Sequence, residues 1–385
     1  MMKTAQRLRV LFIARYRSAA MESKLDWMVK EPDIELRLIR PATWEDEYGR
    51  FKQAKTSNPF ETRSIPMLGS PSDPHRAIYQ TGTFGLHRWK PDIIHAEEEP
   101  DSLSALQIAL VRRLWQPRSR LLFHTWQNVD RPKRWYVHAV LRTVLRESDA
   151  VFCANQEAAS LLRRYGYLRP TPCTPSIGVD TDLFRPCSEG GEIKSPPSFT
   201  IGYIGRLVEE KGIDALIRAV AALRCHTGGD RWRLRIVGSG SKEDTLRALV
   251  TSFQIDDAVS FGPPLPGGRM PEAICALDAL VLPSRTTRVW KEQLGRVLLE
   301  AMACGVPVIG SDSGAIPEVI DDAGLIFPED DVDKLADCLM RLEANPGLRA
   351  TLALRGRQRV EERYSQRRLA AETVAFYHQI LEGTA

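Results

Sequence analysis

Short apolar runs alternate with helical patterns from one end of this chain to the other, and that rhythm restricts it to parallel sheets covered by helices. In the first half the runs predict strands at 8–14, 34–39, 92–96, 120–125 and 150–154. The second half repeats the rhythm at 200–205, 234–238, 258–261, 279–283, 306–310 and 325–327. Between the halves lies 186–198, rich in Pro, Gly and Ser with little to bury, which reads as a linker. The expected class is α/β, with two Rossmann-like domains, 1–185 and 199–365, facing one another and binding ligands in the cleft at the carboxyl ends of their strands. A tail at 366–385 carries an apolar stripe through Leu369, Ala370, Thr373, Val374, Tyr377 and Leu381, and is expected to pack back on the first domain.

Composition narrows the function classes. At 385 residues there is room for two ordinary cores. The net charge of +4 suits acidic ligands such as phosphates without implying a nucleic-acid binder. No apolar stretch is long enough to cross a membrane, and the start lacks a signal-peptide core. Seven cysteines, an odd number without a C-x-x-C pair, argue against a disulfide framework or a zinc site, and the seven histidines show no metal-ligand spacing. Neither a metal nor another cofactor is expected, and a cytoplasmic location follows.

One carboxylate stands out. Glu300 sits between Val297-Leu298-Leu299 and Ala301-Met302-Ala303, in a helix that opens near Gly295 and stops at Gly305 and Pro307. A charge there needs a partner. Glu292 lies just ahead of the same helix, where the backbone N–H groups of Gln293, Leu294 and Gly295 offer an anion site. Gly205, at the end of a strand, is followed by Arg206 and Lys211, two cations suited to a diphosphate, unless they merely pair with Glu209 and Glu210. A second glycine turn, Gly238-Ser239-Gly240, ends the next strand. Glu300 is placed to accept hydrogen bonds from a ribose diol and Glu292 from a second sugar, so diphosphate between two polyols describes a nucleotide sugar.

Gly205-Arg206-x4-Lys211-Gly212, the Glu292-x7-Glu300 pair and Gly314-Ala-Ile-Pro-Glu318 together resemble glycosyltransferase family 4 (glycosyl transferases group 1), which are retaining, sugar-nucleotide-dependent enzymes of GT-B fold. The resemblance implies that Arg206 and Lys211 stabilise the leaving diphosphate, that Glu300 binds the nucleotide ribose, and that Glu292 binds the transferred sugar. It makes 199–365 the donor domain, with Gly205, Gly238, Gln293, Leu294 and Gly295 at the donor, and 1–185 the acceptor-side domain. Pro91-Asp-Ile-Ile-His95, Ile177-Gly-Val-Asp180 and Phe184-Arg-Pro186 are also family-like. Where many members carry a glycine pair after the first strand, this chain has Ala14-Arg-Tyr-Arg-Ser-Ala-Ala20, so Arg15 or Arg17 takes that contact or the loop, with Tyr16, shapes the acceptor site. Members place a histidine after a strand in a Thr-x-His-Asp setting; aligning on Thr125 puts Gln127 there, with Asn128 beside it and His124 as second choice.

Two further stretches remain open to two readings each. Glu97-Glu98-Glu99 either grips acceptor hydroxyls or an amine, or forms a solvated acidic turn. Arg131-Pro-Lys-Arg-Trp-Tyr136 either touches a membrane surface or a phosphate-bearing acceptor, or buries its Trp beneath solvated cations. The expected function is retaining transfer of a hexose-type unit from a nucleotide diphosphate sugar to a hydroxyl of a lipid-linked saccharide, polysaccharide precursor or small natural product. The enzyme is expected in the cytoplasm or peripherally on the inner face of the membrane. The rivals are a non-catalytic nucleotide-sugar-binding protein and a dinucleotide-dependent oxidoreductase, the latter lacking its G-x-G-x-x-G after the first strand.

Overall fold

The computed structural model describes residues 7–16, 19–46, 49–52, 59–69, 73, 75–186, 198–226 and 231–384. Most of the linker expected at 186–198, and Arg17, lie outside them. The chain divides into two compact units, Met1–Ile177 with Gln366–Ala385, and Gly178–Ser365.

In the first unit the elements run β1 (Leu8–Ala14), α1 (Ala19–Met28), β2 (Ile34–Pro41), β3 (Thr43–Asp46), β4 (Gly49–Lys52), β5 (Glu61–Ile65), β6 (Met67–Leu68), β7 (Ile78–Tyr79), β8 (Ile93–Glu97), α2 (Leu103–Trp115), β9 (Arg120–Thr125), α3 (Trp135–Glu147), β10 (Ala150–Cys153) and α4 (Gln156–Arg164). The second unit continues with β11 (Phe199–Ile204), α5 (Ile213–His226), β12 (Trp232–Val237), α6 (Glu243–Ser252), β13 (Val259–Gly262), α7 (Met270–Cys275), β14 (Ala279–Leu282), α8 (Arg296–Ala303), β15 (Val308–Ser311), α9 (Ile316–Ile320), β16 (Leu325–Phe327), α10 (Val332–Ala344) and α11 (Pro346–Arg359). Helix α12 (Gln366–Glu382) then returns to the first unit.

Each unit is built on a six-stranded sheet, ordered β10-β9-β8-β1-β2-β5 in the first and β13-β12-β11-β14-β15-β16 in the second. All pairings within them are parallel. Counted along the chain, both sheets have the doubly wound order 3-2-1-4-5-6, so each has a switch point, between β1 and β8 and between β11 and β14. Those two places are where ligands of such sheets bind.

Strand alternation builds the first core. Leu11 and Ile13 face a layer containing Ile108 of α2, Val144 of α3 and Ala158 of α4, while Val10 and Phe12 face Leu25 of α1 and Val374, Phe376, Tyr377 and Ile380 of α12. Phe376 and Ile380, rather than Leu381, complete the inner stripe of that tail helix; Leu381 is exposed. In the second unit Ile201, Tyr203, Ile236, Leu280 and Ile309 are fully buried, as are Leu216 and Val220 of α5, Leu298 of α8 and Leu335 of α10. Strand β5 escaped the sequence reading because its Glu-Thr-Arg-Ser-Ile composition is polar, as suits a sheet edge. Cys153, Cys173, Cys225, Cys304 and Cys338 are free thiols. Cys275 is disulfide-bonded.

Candidate functional site

The second unit gathers the loops that follow β11, β12, β14 and β15 at one sheet edge, and glycines make the gathering possible. Gly238, at φ +151°, lies so close to the β11 loop that a Cβ on it would sit 1.8 Å from the Gly205 carbonyl oxygen. Its own N–H donates to Gly262, and Gly205 N–H to Val237. Gly314, at φ +53°, would place a Cβ 2.2 Å from the Glu292 carbonyl oxygen, and that same oxygen accepts the Ala315 N–H at 2.9 Å. The Gly314-Ala315 segment therefore braces the backbone of Glu292.

The charged core of the edge is a pair from distant parts of the chain. Lys211 Nζ lies 2.5 Å from Glu292 Oε2, with side chains only 14% and 9% exposed. Ser284 Oγ donates to the same oxygen at 2.8 Å, and the Lys211 ammonium stands 4.8 Å from the centre of the Trp290 ring. The alternative pairing with the neighbouring glutamates holds for Arg206 alone: its Nη2 reaches Glu210 at 3.0 Å and its side chain is 44% exposed. Arg285 draws the loops together, contacting Asp214 at 2.9 Å, Asp330 at 2.7 Å and Glu209 at 3.3 Å. These carboxylates hold its pKa above the usual arginine value despite burial, which acts the other way.

Glu300 is buried, as its apolar neighbours required, and its partner within the chain is Arg296 at 3.0 Å, one helical turn earlier. Burial raises the Glu300 carboxyl above its ordinary range, and Arg296 opposes that shift. The helix opens at Gly295, where the sequence places its start. Gly295 is the left-handed N-cap at φ +69°, no side chain caps the helix, and Arg296 begins α8. Gln293 and Leu294 thus belong to the preceding loop, and the N–H groups of the first turn start at Arg296.

In the first unit the residues named for the acceptor side fall into separate clusters. Arg15 Nε meets Glu98 at 2.7 Å and Arg15 Nη2 meets Ser104 at 3.0 Å, while Tyr79 donates to Glu98 at 2.9 Å. Glu97 pairs with Lys24 at 2.9 Å, and Tyr16 is buried on the same face as α12. Glu99 accepts from Thr125 Oγ1 at 2.7 Å and from the Trp126 N–H at 2.8 Å. The three glutamates are therefore not a solvated turn; each is held by a different partner. Burial and then the charge of Asp101 push the Glu99 carboxyl up to about 7.

Gln127 Nε2 spans both oxygens of Asp101 at 2.9 and 3.0 Å, and Asn128 donates to Glu157 at 3.2 Å. His124 points the other way, with Nε2 3.3 Å from the Thr174 carbonyl oxygen. Burial, with the Lys24 charge adding to it, pushes His124 down to about 3, so it is neutral at physiological pH. The Trp135 and Tyr136 side chains are exposed rather than buried under their cations.

Ser284, Trp290, Arg285 and Arg296 were not among the residues anticipated. Ser284 and Arg285 carried a usable signal, since they immediately follow a predicted strand and the carboxyl ends of such strands face ligands. Arg296 carried another, standing four residues before a buried carboxylate on a helix.

Comparison with known proteins finds matches in both units. Residues 191–359 match the family described as Glycosyl transferases group 1, and residues 29–175 match the Glycosyl transferase 4-like domain. A D-inositol 3-phosphate glycosyltransferase of Saccharomonospora viridis is 33% identical over 63% of this chain and 59% of its own length. A GDP-mannose-dependent monoacylated alpha-(1-6)-phosphatidylinositol monomannoside mannosyltransferase of Corynebacterium glutamicum is 38% identical over 58% of this chain and 61% of its own. The chain thus spans about six-tenths of the length of these two relatives. Sucrose-phosphate synthase from Thermosynechococcus elongatus superposes with a TM-score of 0.70 over 98% of this chain and 100% of that one, at 20% identity. Anabaena HepE in complex with UDP does so with 0.70 over 97% and 100%, at 16% identity.

Proposed function

Because the chain belongs to the group 1 glycosyltransferases and carries the GT-B fold, we propose that it transfers a hexose-type sugar, with retention, from a nucleotide diphosphate sugar to an acceptor hydroxyl. The observation that carries the reading is the Lys211–Glu292 pair at the β11/β14 switch point, flanked by Ser284 and the opening of α8. A diphosphate entering there competes with Glu292 for the Lys211 ammonium. Once displaced, Glu292 turns its carboxylate to hydroxyls of the transferred sugar, and Lys211 meets the charge that develops on the leaving diphosphate as the glycosidic bond breaks. Arg206, loosely held by Glu210 at the exposed rim, swings onto the same phosphates. Glu300 exchanges Arg296 for the ribose diol. A leaving phosphate oxygen accepts the proton of the incoming hydroxyl, so the chain need not supply a separate base.

Relatives named for mannosyl transfer from GDP-mannose and for glycosyl transfer to inositol 3-phosphate support a nucleotide sugar donor and a polyol-bearing acceptor, as does a fold neighbour seen with UDP. Two cations and a helix N-terminus supply the charge stabilisation that a metal supplies elsewhere, so the reading requires no metal. The acceptor is assigned to the Gln127–Asp101 edge of the first unit, where an amide and a carboxylate are already aligned. No helix among the described residues is long and apolar enough to cross a membrane.

The reading is tested by screening nucleoside diphosphate sugars for thermal stabilisation, then following donor turnover in wild type, Arg206→Ala and Lys211→Ala. Donor-dependent stabilisation with turnover lost in both variants supports a transferase. Stabilisation without turnover against a broad acceptor panel points to a binding module instead.

A further inference from the structure

One cavity of the first unit takes no part in the transfer reading. Helices α2, α3 and α4 cover one face of the first sheet, but at the β2–β5 edge the cover is an irregular stretch, 80–92, without helix or strand. A turn stands there in place of a helix and leaves a cavity of about 300 Å³ against the sheet. Strand register decides what lines it. Arg37 pairs with Glu61 and Ile39 with Arg63, so alternation sends these four side chains to the face that Leu11 also occupies. Leu11, Ile39 and Phe84 are buried and make an apolar floor.

Three arginines, Arg37, Arg63 and Arg88, line the cavity, and Glu61 is the only carboxylate among the lining residues. Arg37 takes that carboxylate at 3.2 Å and lies 4.4 Å from the centre of the Trp89 ring. Arg63 and Arg88 have no carboxylate within ion-pair distance among the described residues. Nor does any Asp or Glu occur from His75 to Pro91, a stretch that holds Arg76, Arg88 and Lys90. The turn beside these cations is tightly held. Thr81 Oγ1 accepts the Phe84 N–H at 3.3 Å, the Thr83 carbonyl accepts the Leu86 N–H at 2.9 Å, and Gln116 donates to the Leu86 carbonyl at 3.0 Å. Phe84 is kept at φ +49° and Gly85 at +79°. A bulky residue takes left-handed backbone only where its surroundings impose it, and such outliers gather at ligand-binding turns. A Cβ on Gly85 would lie 3.1 Å from Arg63 Nη1, so glycine lets this guanidinium lie against the turn.

The geometry points to this cavity as a binding site for a small organic phosphate monoester. Arg63 and Arg88 take the phosphate dianion as charge-assisted donors, and the organic body lies on Leu11, Ile39 and Phe84. Arg37 stays with Glu61 and Trp89. An inorganic anion would use the arginines and leave the floor wet, while an uncharged apolar molecule would gain nothing from the arginines. The inference stands apart from the transfer reading: the lining residues lie mid-strand or in the turn, not at the strand carboxyl ends to which that reading assigns its substrates.

The probe is phenyl phosphate, with inorganic phosphate beside it, titrated calorimetrically into the full chain at constant ionic strength. Wild type should bind phenyl phosphate saturably and about tenfold more tightly than inorganic phosphate, because the ring is buried on the floor. The Arg63→Gln/Arg88→Gln variant should bind phenyl phosphate at least about tenfold more weakly. It should keep the wild-type melting temperature, since both side chains are exposed. Lys211→Met/Glu292→Gln, which removes a cation of the transfer site, should bind the probe with wild-type affinity. Absence of saturable binding overturns the proposal, as does equal affinity for the two probes or an unchanged affinity in the arginine variant. Loss of binding in Lys211→Met/Glu292→Gln overturns it too, because the probe then sits in the second unit.

Discussion

Replacing Lys211 by Met separates the two roles assigned to this side chain. In the folded chain the Lys211 ammonium and the Glu292 carboxylate are 2.5 Å apart and both largely withdrawn from water. Removing one member of a fully buried pair costs about 3–5 kcal/mol, because the other charge is left without compensation. Here Ser284 still donates to Glu292 at 2.8 Å and both side chains keep some exposure, so the low end applies. A loss of about 3 kcal/mol corresponds to a fall of about 6–12 °C in melting temperature for a unit of this size. Glu292→Gln alone should destabilise by a comparable amount through the stranded ammonium. The double variant Lys211→Met/Glu292→Gln replaces the pair by neutral groups of similar volume and should recover most of the loss. A urea-unfolding double-mutant cycle then gives a coupling of about 2 kcal/mol or more. Transfer behaves differently: the double variant stays at least about a hundredfold below wild type, since stability returns but the cation facing the diphosphate does not. Additive single effects, with coupling under about 0.5 kcal/mol, would refute the buried-pair argument. Near-normal turnover in the double variant would refute the catalytic one.

Gly238→Ala sets a Cβ against the Gly205 carbonyl oxygen at 1.8 Å, a backbone contact that no rotamer relieves, and should cost about 1–3 kcal/mol in urea unfolding while weakening donor binding. Glu300→Gln removes a carboxylate from the diol and should raise the donor dissociation constant about tenfold or more by calorimetry, with folding intact. Glu99, raised to about 7, holds a proton in the folded state that the unfolded chain releases at lower pH. Its contribution is therefore complete at acidic pH and is lost as pH rises toward 7, so Glu99→Gln should gain stability relative to wild type between pH 5 and pH 8, by about 3 kcal/mol at most. An unchanged difference across that range counts against a buried, protonated Glu99. Chelation with EDTA should leave transfer rates unaltered; a loss restored by one divalent cation returns a metal to the mechanism.

The sheets of both units were legible in the sequence because buried parallel strands are short, continuous apolar runs, and the six central runs of the second unit all became strands within a residue or two. Strand β5 and the small pairs β3–β4 and β6–β7 were not, since an edge strand of polar residues has no periodic signature. Burial of Glu300 could also be read locally, from the apolar residues on either side. Its pairing with Arg296 follows the same helical spacing. The order of the strands is not written in any run, and that order brings the β11 and β14 loops side by side. Only the tertiary structure decided that Lys211 passes over Glu209 and Glu210, its neighbours in sequence, to meet Glu292 and Ser284. Likewise it decided that Arg15 closes on Glu98 and Ser104. Apolar periodicity is a property of each segment, whereas a charge takes whichever partner the fold leaves beside it in the least water.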